Sequence, residues 1–308
     1  MARKLCKFCD VKEVTTLNFW RGVAAEFLGT FLFLMMTFVV THNPFYEEGD
    51  TKISPQQLAF YNSVVFGLSL ATAIQMFGAI SGGHFNPCVT VAFLLSCKIS
   101  VVRCLFYVVM QILGAFVASI AYTTFYDNDN LINNMTNKVM PGVTIWTAFY
   151  VEAFLTFFFI LTVLASSNRR NVAPNNVSMA VGIALILVLI AGKDFTRCSV
   201  NPARSFGPSL WGVIQDVSSF DNHWIFWAGP MSGAVMAAFI YNALDTGQRQ
   251  KSAQELHEDR LFRGEGRSNR NYQVDNSSGF PDGEYVVYDD DSQKHAQLYR
   301  GNLTTSRM

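Results

Sequence analysis

Two short motifs in the chain have the residues to do chemistry on a passing oxygen atom. They are Asn86-Pro87-Cys88 and Asn201-Pro202-Ala203. Asn is a strong helix N-cap and Pro is favoured at the first helical position. Each motif therefore reads as the start of a helix. Each is followed by a short apolar run, Val89–Leu95 and Ser205–Val213. Each is preceded by small or polar residues, Ser81-Gly82-Gly83-His84 and Thr196-Arg197-Cys198-Ser199. A helix N-terminus carries about half a positive charge and unsatisfied N–H groups. Two such ends meeting face to face would repel cations. The amides of Asn86 and Asn201 would each offer N–H donors to one oxygen. A water held by both turns its hydrogens away from that point and cannot relay a proton through it.

Such ends need a frame, and composition indicates which kind. The chain has 308 residues, 50% of them hydrophobic and only 15% charged, with a net charge of zero. Soluble domains carry about 25% charged residues. The zero balance argues against a nucleic-acid partner, which wants a basic face. The charges are also unevenly placed: 19 of the 46 lie in residues 246–308. What remains is a very apolar body with six stretches near the roughly 20 residues that cross a bilayer. They are 22–41, 58–79, 104–125, 143–165, 177–192 and 223–244; Glu26 and Glu152 are the only Asp, Glu, Lys or Arg within them. A cleaved leader would have a shorter apolar run and a small-residue cleavage site, so 22–41 reads as a retained helix. Three regions follow: a segment 1–20, a membrane body 21–245 and a polar tail 246–308.

The body repeats itself. Glu26-Phe27-Leu28-Gly29-Thr30-Phe31-Leu32-Phe33 is similar to Glu152-Ala153-Phe154-Leu155-Thr156-Phe157-Phe158-Phe159. Gly114-Ala115-Phe116-Val117-Ala118 is similar to Gly233-Ala234-Val235-Met236-Ala237. One unit spans about 21–125 and the other about 143–245. With three crossings each, the second must enter from the opposite side. Inverted repeats of this kind place a site near the midplane, between broken helices. The Asn-Pro runs are too short to span, and irregular backbone at that depth is tolerated only around a cavity or within protein. The fold class expected is all-α, with six membrane helices and two re-entrant half-helices.

Glu26 and Glu152 are costly inside a membrane. Their matched placement points to a structural role, each accepting backbone N–H bonds from the loop before its own Asn-Pro motif. His84 either lines a passage or braces that loop. Gly78, Gly82, Gly114, Gly207, Gly229 and Gly233 suit close helix approach.

Lys and Arg favour the cytoplasmic side of short loops. Arg3, Lys4, Lys7, Lys12, Lys98, Arg103, Arg169 and Arg170 fall on one side, against Lys52, Lys138, Lys193 and Arg197 on the other. Both termini are thus expected in the cytoplasm. The sequon at Asn134 then faces outside, where it could be glycosylated. Those at Asn176, Asn276 and Asn302 face inside.

Together the two motifs and the inverted repeat resemble the aquaporins, the major intrinsic proteins, over about residues 15–245. The boxes that carry the resemblance are Ser81–Thr90 and Cys198–Pro208. The resemblance implies one pore per subunit, a homotetramer in the plasma membrane, and water as the permeant, with small neutral solutes as an extension. It places the family's selectivity filter on Phe66, Leu189, Cys198 and Arg204. There the Arg204 guanidinium would supply donors to permeant oxygens, and the Cys198 thiol would confer mercury sensitivity.

Two residues depart from the family pattern. Water-selective members usually have His where Leu189 falls, so the filter here is more apolar. The first box ends in Cys88 rather than Ala. On the other side, Ser205 follows Arg204 where glycerol-conducting members have Asp, which is the water-type form. No catalytic triad, nucleotide loop or paired-carboxylate site is visible, so neither an enzyme nor a cofactor is expected. Cys6-x-x-Cys9 has no second ligand pair, so no metal site is expected. The tail reads as solvated and irregular beyond a short helix near Gln250–Phe262, with Tyr285-Val286-Val287-Tyr288 as its one motif-like run.

Overall fold

The computed structural model describes residues 11–41, 54–125, 130–168, 176–216, 220–265, 274–275, 284–287 and 297–300. Arg3, Lys4, Cys6, Lys7, Cys9, Lys52, Arg169, Arg170, Asn276 and Asn302 lie outside them.

Among the described residues, five helices are long and apolar enough to cross a membrane: α1 (Leu17–Thr41), α2 (Pro55–Ser81), α4 (Val101–Thr123), α6 (Ile145–Ser166) and α7 (Val177–Thr196). The sixth apolar stretch forms the first part of α9 (Ile225–Glu265). Between them lie the short α3 (Pro87–Leu95), α5 (Asn130–Met135) and α8 (Pro202–Ile214). Polar caps fix the starts. Ser54 and Gln57 form a capping box at α2, and Ser100 and Thr144 accept from the N–H groups of Arg103 and Thr147. Each satisfies a donor that the helix itself cannot. Ahead of α1, the turn Val11–Thr15 is tied to α4 by a 2.9 Å ion pair between Glu13 and Arg103.

The two repeats are woven together. In the first, α1 packs on α2 and α4; in the second, α6 packs on α7; between the repeats, α2 packs on α7. The half-helices cross over: α3 touches α6 and α8 touches α4. Close approach relies on small residues. A Cβ on Gly67 of α2 would stand 2.5 Å from the Gly182 carbonyl of α7. A Cβ on Gly114 would stand 2.6 Å from Phe27 O, and its counterpart on Gly233 2.1 Å from Ala153 O. Bilayer helices associate by such backbone contact, because lipid gives apolar side chains no reason to prefer protein. Gly78 differs from the expectation: a Cβ there would meet only Ile74 of its own helix, at 3.4 Å.

The described residues of the tail are one helical run and three short strands. Helix α9 continues to Glu265 through a run rich in Gln, Lys, Glu, Arg and Leu, all strong helix formers. Beyond it, Val274–Asp275, Glu284–Val287 and Gln297–Arg300 pair antiparallel in that order, with Tyr285 opposite Tyr299. Tyr288 lies outside the described residues.

Candidate permeation pathway

The two loops before α3 and α8 follow one plan. Glu26 and Glu152 are completely buried, one beneath each loop. Glu26 Oε1 accepts from Ser81 Oγ (2.6 Å) and the His84 N–H (3.0 Å), and its Oε2 from the Phe85 N–H (2.8 Å). Glu152 Oε1 accepts from Thr196 Oγ1 (2.6 Å) and the Ser199 N–H (2.8 Å), and its Oε2 from the Val200 N–H (3.0 Å). Buried backbone donors need acceptors, and a carboxylate can satisfy several at once. The first repeat adds one more donor, Gln111 Nε2, at 2.7 Å from Glu26 Oε2.

These bonds hold an unusual backbone. Phe85 (φ 48°) and Val200 (φ 45°), each just before its Asn, are both left-handed. That costs a non-glycine residue about 1–2 kcal/mol, and a β-branched one such as Val200 rarely tolerates it. The conformation turns each carbonyl toward the opposite loop. Asn86 Nδ2 donates to Val200 O at 2.8 Å, and Asn201 Nδ2 donates to Phe85 O at 2.9 Å. The Asn oxygens cap their own helices: Asn86 Oδ1 accepts from the Cys88 N–H, and Asn201 Oδ1 from the N–H groups of Ala203 and Arg204. Pro87 and Pro202 occupy the first helical positions. An amide nitrogen carries two protons, so each Asn keeps one that neither loop uses.

Three cavities run in series past this clasp. A wide one of about 300 Å³ is lined by Asn62, Ser63, Asn134, Lys193 and Arg197 and reaches Phe66, Leu189 and Arg204. A middle one of about 10 Å³ has Asn86, Asn201 and Phe66 in its walls. A third, of about 30 Å³, has Gly82, Gly83 and His84 in its walls. Phe66 is common to the first two, and Leu70, His84 and Phe159 to the last two.

Of the four residues expected at the filter, three come together. Arg204 lies with its guanidinium carbon 5.3 Å from the centre of the Phe66 ring, and Leu189 shares their cavity. Arg204 Nη1 donates to Met135 O at 2.6 Å, and its Nε–H has no acceptor in the protein. Cys198 is the fourth. It is fully buried, its Sγ donates to Val188 O at 3.3 Å, and it lies in none of the three cavity walls. His84 does both things weighed for it. Its N–H bonds Glu26, while its ring lines the narrow cavities and meets Thr90 Oγ1 through Nδ1 at 3.1 Å. Cys88 and Ala203 are fully buried at the starts of α3 and α8. Asn134 is half-buried in the last turn of α5, and the Thr136 of its sequon is buried with its hydroxyl on Asn133 O.

Sequence reasoning missed Phe33, Leu70, Phe159 and Leu185, all wall residues of the middle cavity. A signal was available for two of them. Phe33 and Phe159 stand at the same place in the two repeats, seven residues after Glu26 and Glu152. Near the wide mouth, Arg197 is packed against the loop carbonyl of Asn133 (2.8 Å), and burial lowers its pKa. Arg197 in turn lowers the pKa of Lys138, chiefly by charge repulsion.

Comparison with known proteins agrees with this geometry. The family model described as "Major intrinsic protein" matches residues 13–241. The chain is 37% identical over 231 residues to Aquaporin FA-CHIP of Pelophylax lessonae, covering 73% of this chain and 82% of that protein. It is 38% identical over 237 residues to Aquaporin-5 of Mus musculus (75% and 83% covered) and 36% identical over 233 residues to Aquaporin-2 of Homo sapiens (75% and 80% covered). Among solved structures, an aquaglyceroporin from Plasmodium falciparum shares the fold. Its TM-score is 0.63 at 24% identity, over 73% of this chain and 96% of that one.

Proposed function

We propose that this chain, which belongs to the major intrinsic protein family, is a passive channel for water, and that its filter is built from Phe66, Leu189 and Arg204. The observation that carries the reading is the reciprocal clasp of Asn86 and Asn201 in the wall of a cavity the size of one water molecule. A cavity of about 10–15 Å³ on this measure holds one water.

The mechanism follows from the free protons. Each Asn spends one amide proton on the opposite loop and keeps the other for a permeant oxygen. A water accepting both has its own hydrogens turned toward the two ends of the pathway, and no hydrogen-bonded chain passes through it. The N-termini of α3 and α8, aimed at the same point, raise the potential against cations. At the filter, the Arg204 Nε–H serves a permeant oxygen, while Phe66 and Leu189 supply the apolar wall. Leu189 holds no water by hydrogen bonding, so small neutral solutes enter the wide mouth as well. The chemistry is passage down a gradient; no bond is made or broken.

The same reading places both termini in the cytoplasm and the Arg204 mouth outside, in the plasma membrane, with four copies forming a tetramer and one pore in each. Glu26 and Glu152 serve structure. The test is stopped-flow shrinkage of proteoliposomes. Water efflux should exceed that of protein-free vesicles several-fold with a low activation energy. Efflux at the lipid rate from well-inserted protein would overturn the channel and favour a fold kept for cell contact.

A further inference from the structure

We infer that this channel has a second size limit inward of the expected filter, at a ring formed by Phe159, Leu70 and His84. This rests on the channel reading and adds a specificity residue to it. The wide cavity of about 300 Å³ extends down to Phe66, Leu189 and Arg204. The space then falls to about 10 Å³, where Phe33, Phe66 and Phe159 converge with Leu70 and Leu185. It recovers only to about 30 Å³ beyond. Phe159, Leu70 and His84 wall both small cavities, so a permeant must pass between them. Phe66 belongs to the wide side as well, and Phe33 to the middle cavity alone.

The ring is fixed. Phe159 is 2% and Leu70 5% exposed, and both belong to the main hydrophobic core. His84 is held by its N–H on Glu26, by Thr90 through Nδ1, and by Phe93, whose ring centre is 4.5 Å away. Protein interiors pack too densely for a phenyl ring to move aside without displacing its neighbours. A water fits the space and can meet the imidazole and the two Asn amides in turn. A urea or glycerol that has passed Leu189 meets three apolar rings. It must shed its hydration there with too few polar partners to replace it. The apolar Leu189 therefore does not make this chain a general solute channel.

The experiment uses the full chain in proteoliposomes, with water and urea permeability measured on the same vesicles. Phe159→Leu keeps an apolar, helix-compatible residue and opens the ring. Urea permeability should rise about tenfold, the low end of what a few methylenes do in an apolar pocket, with water permeability equal or higher. Phe33→Leu, which faces the middle cavity only, should raise it less. Leu189→His should change urea entry little alone and reduce it in the Phe159→Leu background. Urea permeability unchanged in Phe159→Leu, with water flux retained, overturns the inference. Lost water flux in the wild type would instead overturn the channel reading. If Phe159→Leu fails to insert, Leu70→Ala provides the second opening, and unchanged urea entry there has the same force.

Discussion

The loops ahead of Asn86 and Asn201 make the same hydrogen bonds from different residues. Both cap the preceding long helix with a left-handed residue, Gly82 in one and Arg197 in the other. Both follow it with a second left-handed position, Gly83 (φ 66°) against Cys198 (φ 48°). In both, a hydroxyl bridges the loop to the buried acid: Ser81 accepts from the Gly83 N–H, and Thr196 from the Cys198 N–H. The first loop adopts its path with glycines, which tolerate it. The second adopts it with side chains, at about 1–2 kcal/mol for each left-handed residue. What that cost provides is visible at the wide mouth, where Arg197 lines the cavity that Arg204 closes. The loop with glycines stands at the narrow end, where extra side chains would fill the passage.

The comparison can be broken most severely at the two acids. Converting either to Gln turns one accepting oxygen into a donor. In Glu26→Gln the new NH₂ faces two donors, the Phe85 N–H and Gln111 Nε2, and Gln111 can offer its unpartnered Oε1 only by giving up its 2.9 Å bond to Thr90 Oγ1. In Glu152→Gln only the Val200 N–H faces the new NH₂. An orphaned buried donor costs about 1–3 kcal/mol. Both variants should lose folded protein, and Glu26→Gln should lose more by about one such increment, since the replaced oxygen served one donor more. The midpoint of thermal inactivation in detergent, read by size-exclusion recovery, orders them. Equal losses would mean that Gln111 turns over and accepts from the new NH₂.

A smaller effect is expected at the second left-handed position. Gly83→Ala should destabilise by about 1–2 kcal/mol through backbone strain, with a Cβ 3.3 Å from Gly78 Cα adding to it. Cys198→Gly relieves strain but empties a fully buried site, so the two terms oppose and the net change should be smaller than in Gly83→Ala. Heat-inactivation midpoints of both variants decide it. A larger loss in Cys198→Gly would show that packing, rather than backbone strain, dominates the second loop.

Much of this arrangement could be read in the sequence, because its causes are local. Asn-Pro pairs announce helix starts wherever they occur, and an unbroken apolar run has one use at membrane length. Matched acids before matched motifs indicated a shared structural task, and both carboxylates hold the backbone N–H groups of their own loops. The ring around Phe159 was not legible in that way. A Phe in an apolar helix looks the same whether it faces lipid, a neighbour or a passage. Phe158, one position earlier, is exposed while Phe159 is buried. Only the crossing of α6 with α3 and α7 decides between them. Cys198 depends on the fold in a related way: spacing gives its place along the loop, whereas the left-handed turn gives its direction.

That direction yields the smallest of the expected effects. The Cys198 thiol is fully buried on Val188 O and is not in the wall of the wide cavity. Mercury must therefore wait for the loop to open, whereas its counterpart position in the first loop, Gly83, has no thiol to attack. Inorganic mercury should lower water permeability slowly, over minutes, and a bulky aryl mercurial should act more slowly still. Cys198→Ser places a hydroxyl that can make the same bond to Val188 O, so it should keep full permeability and lose the inhibition. Of the other described cysteines, Cys97 is exposed and Cys88 and Cys104 are buried. Inhibition that survives in Cys198→Ser would move the reactive thiol to one of them. Inhibition as fast as mercury mixing would place the Cys198 thiol at the passage, and the two loops would then differ in lining as well as in strain.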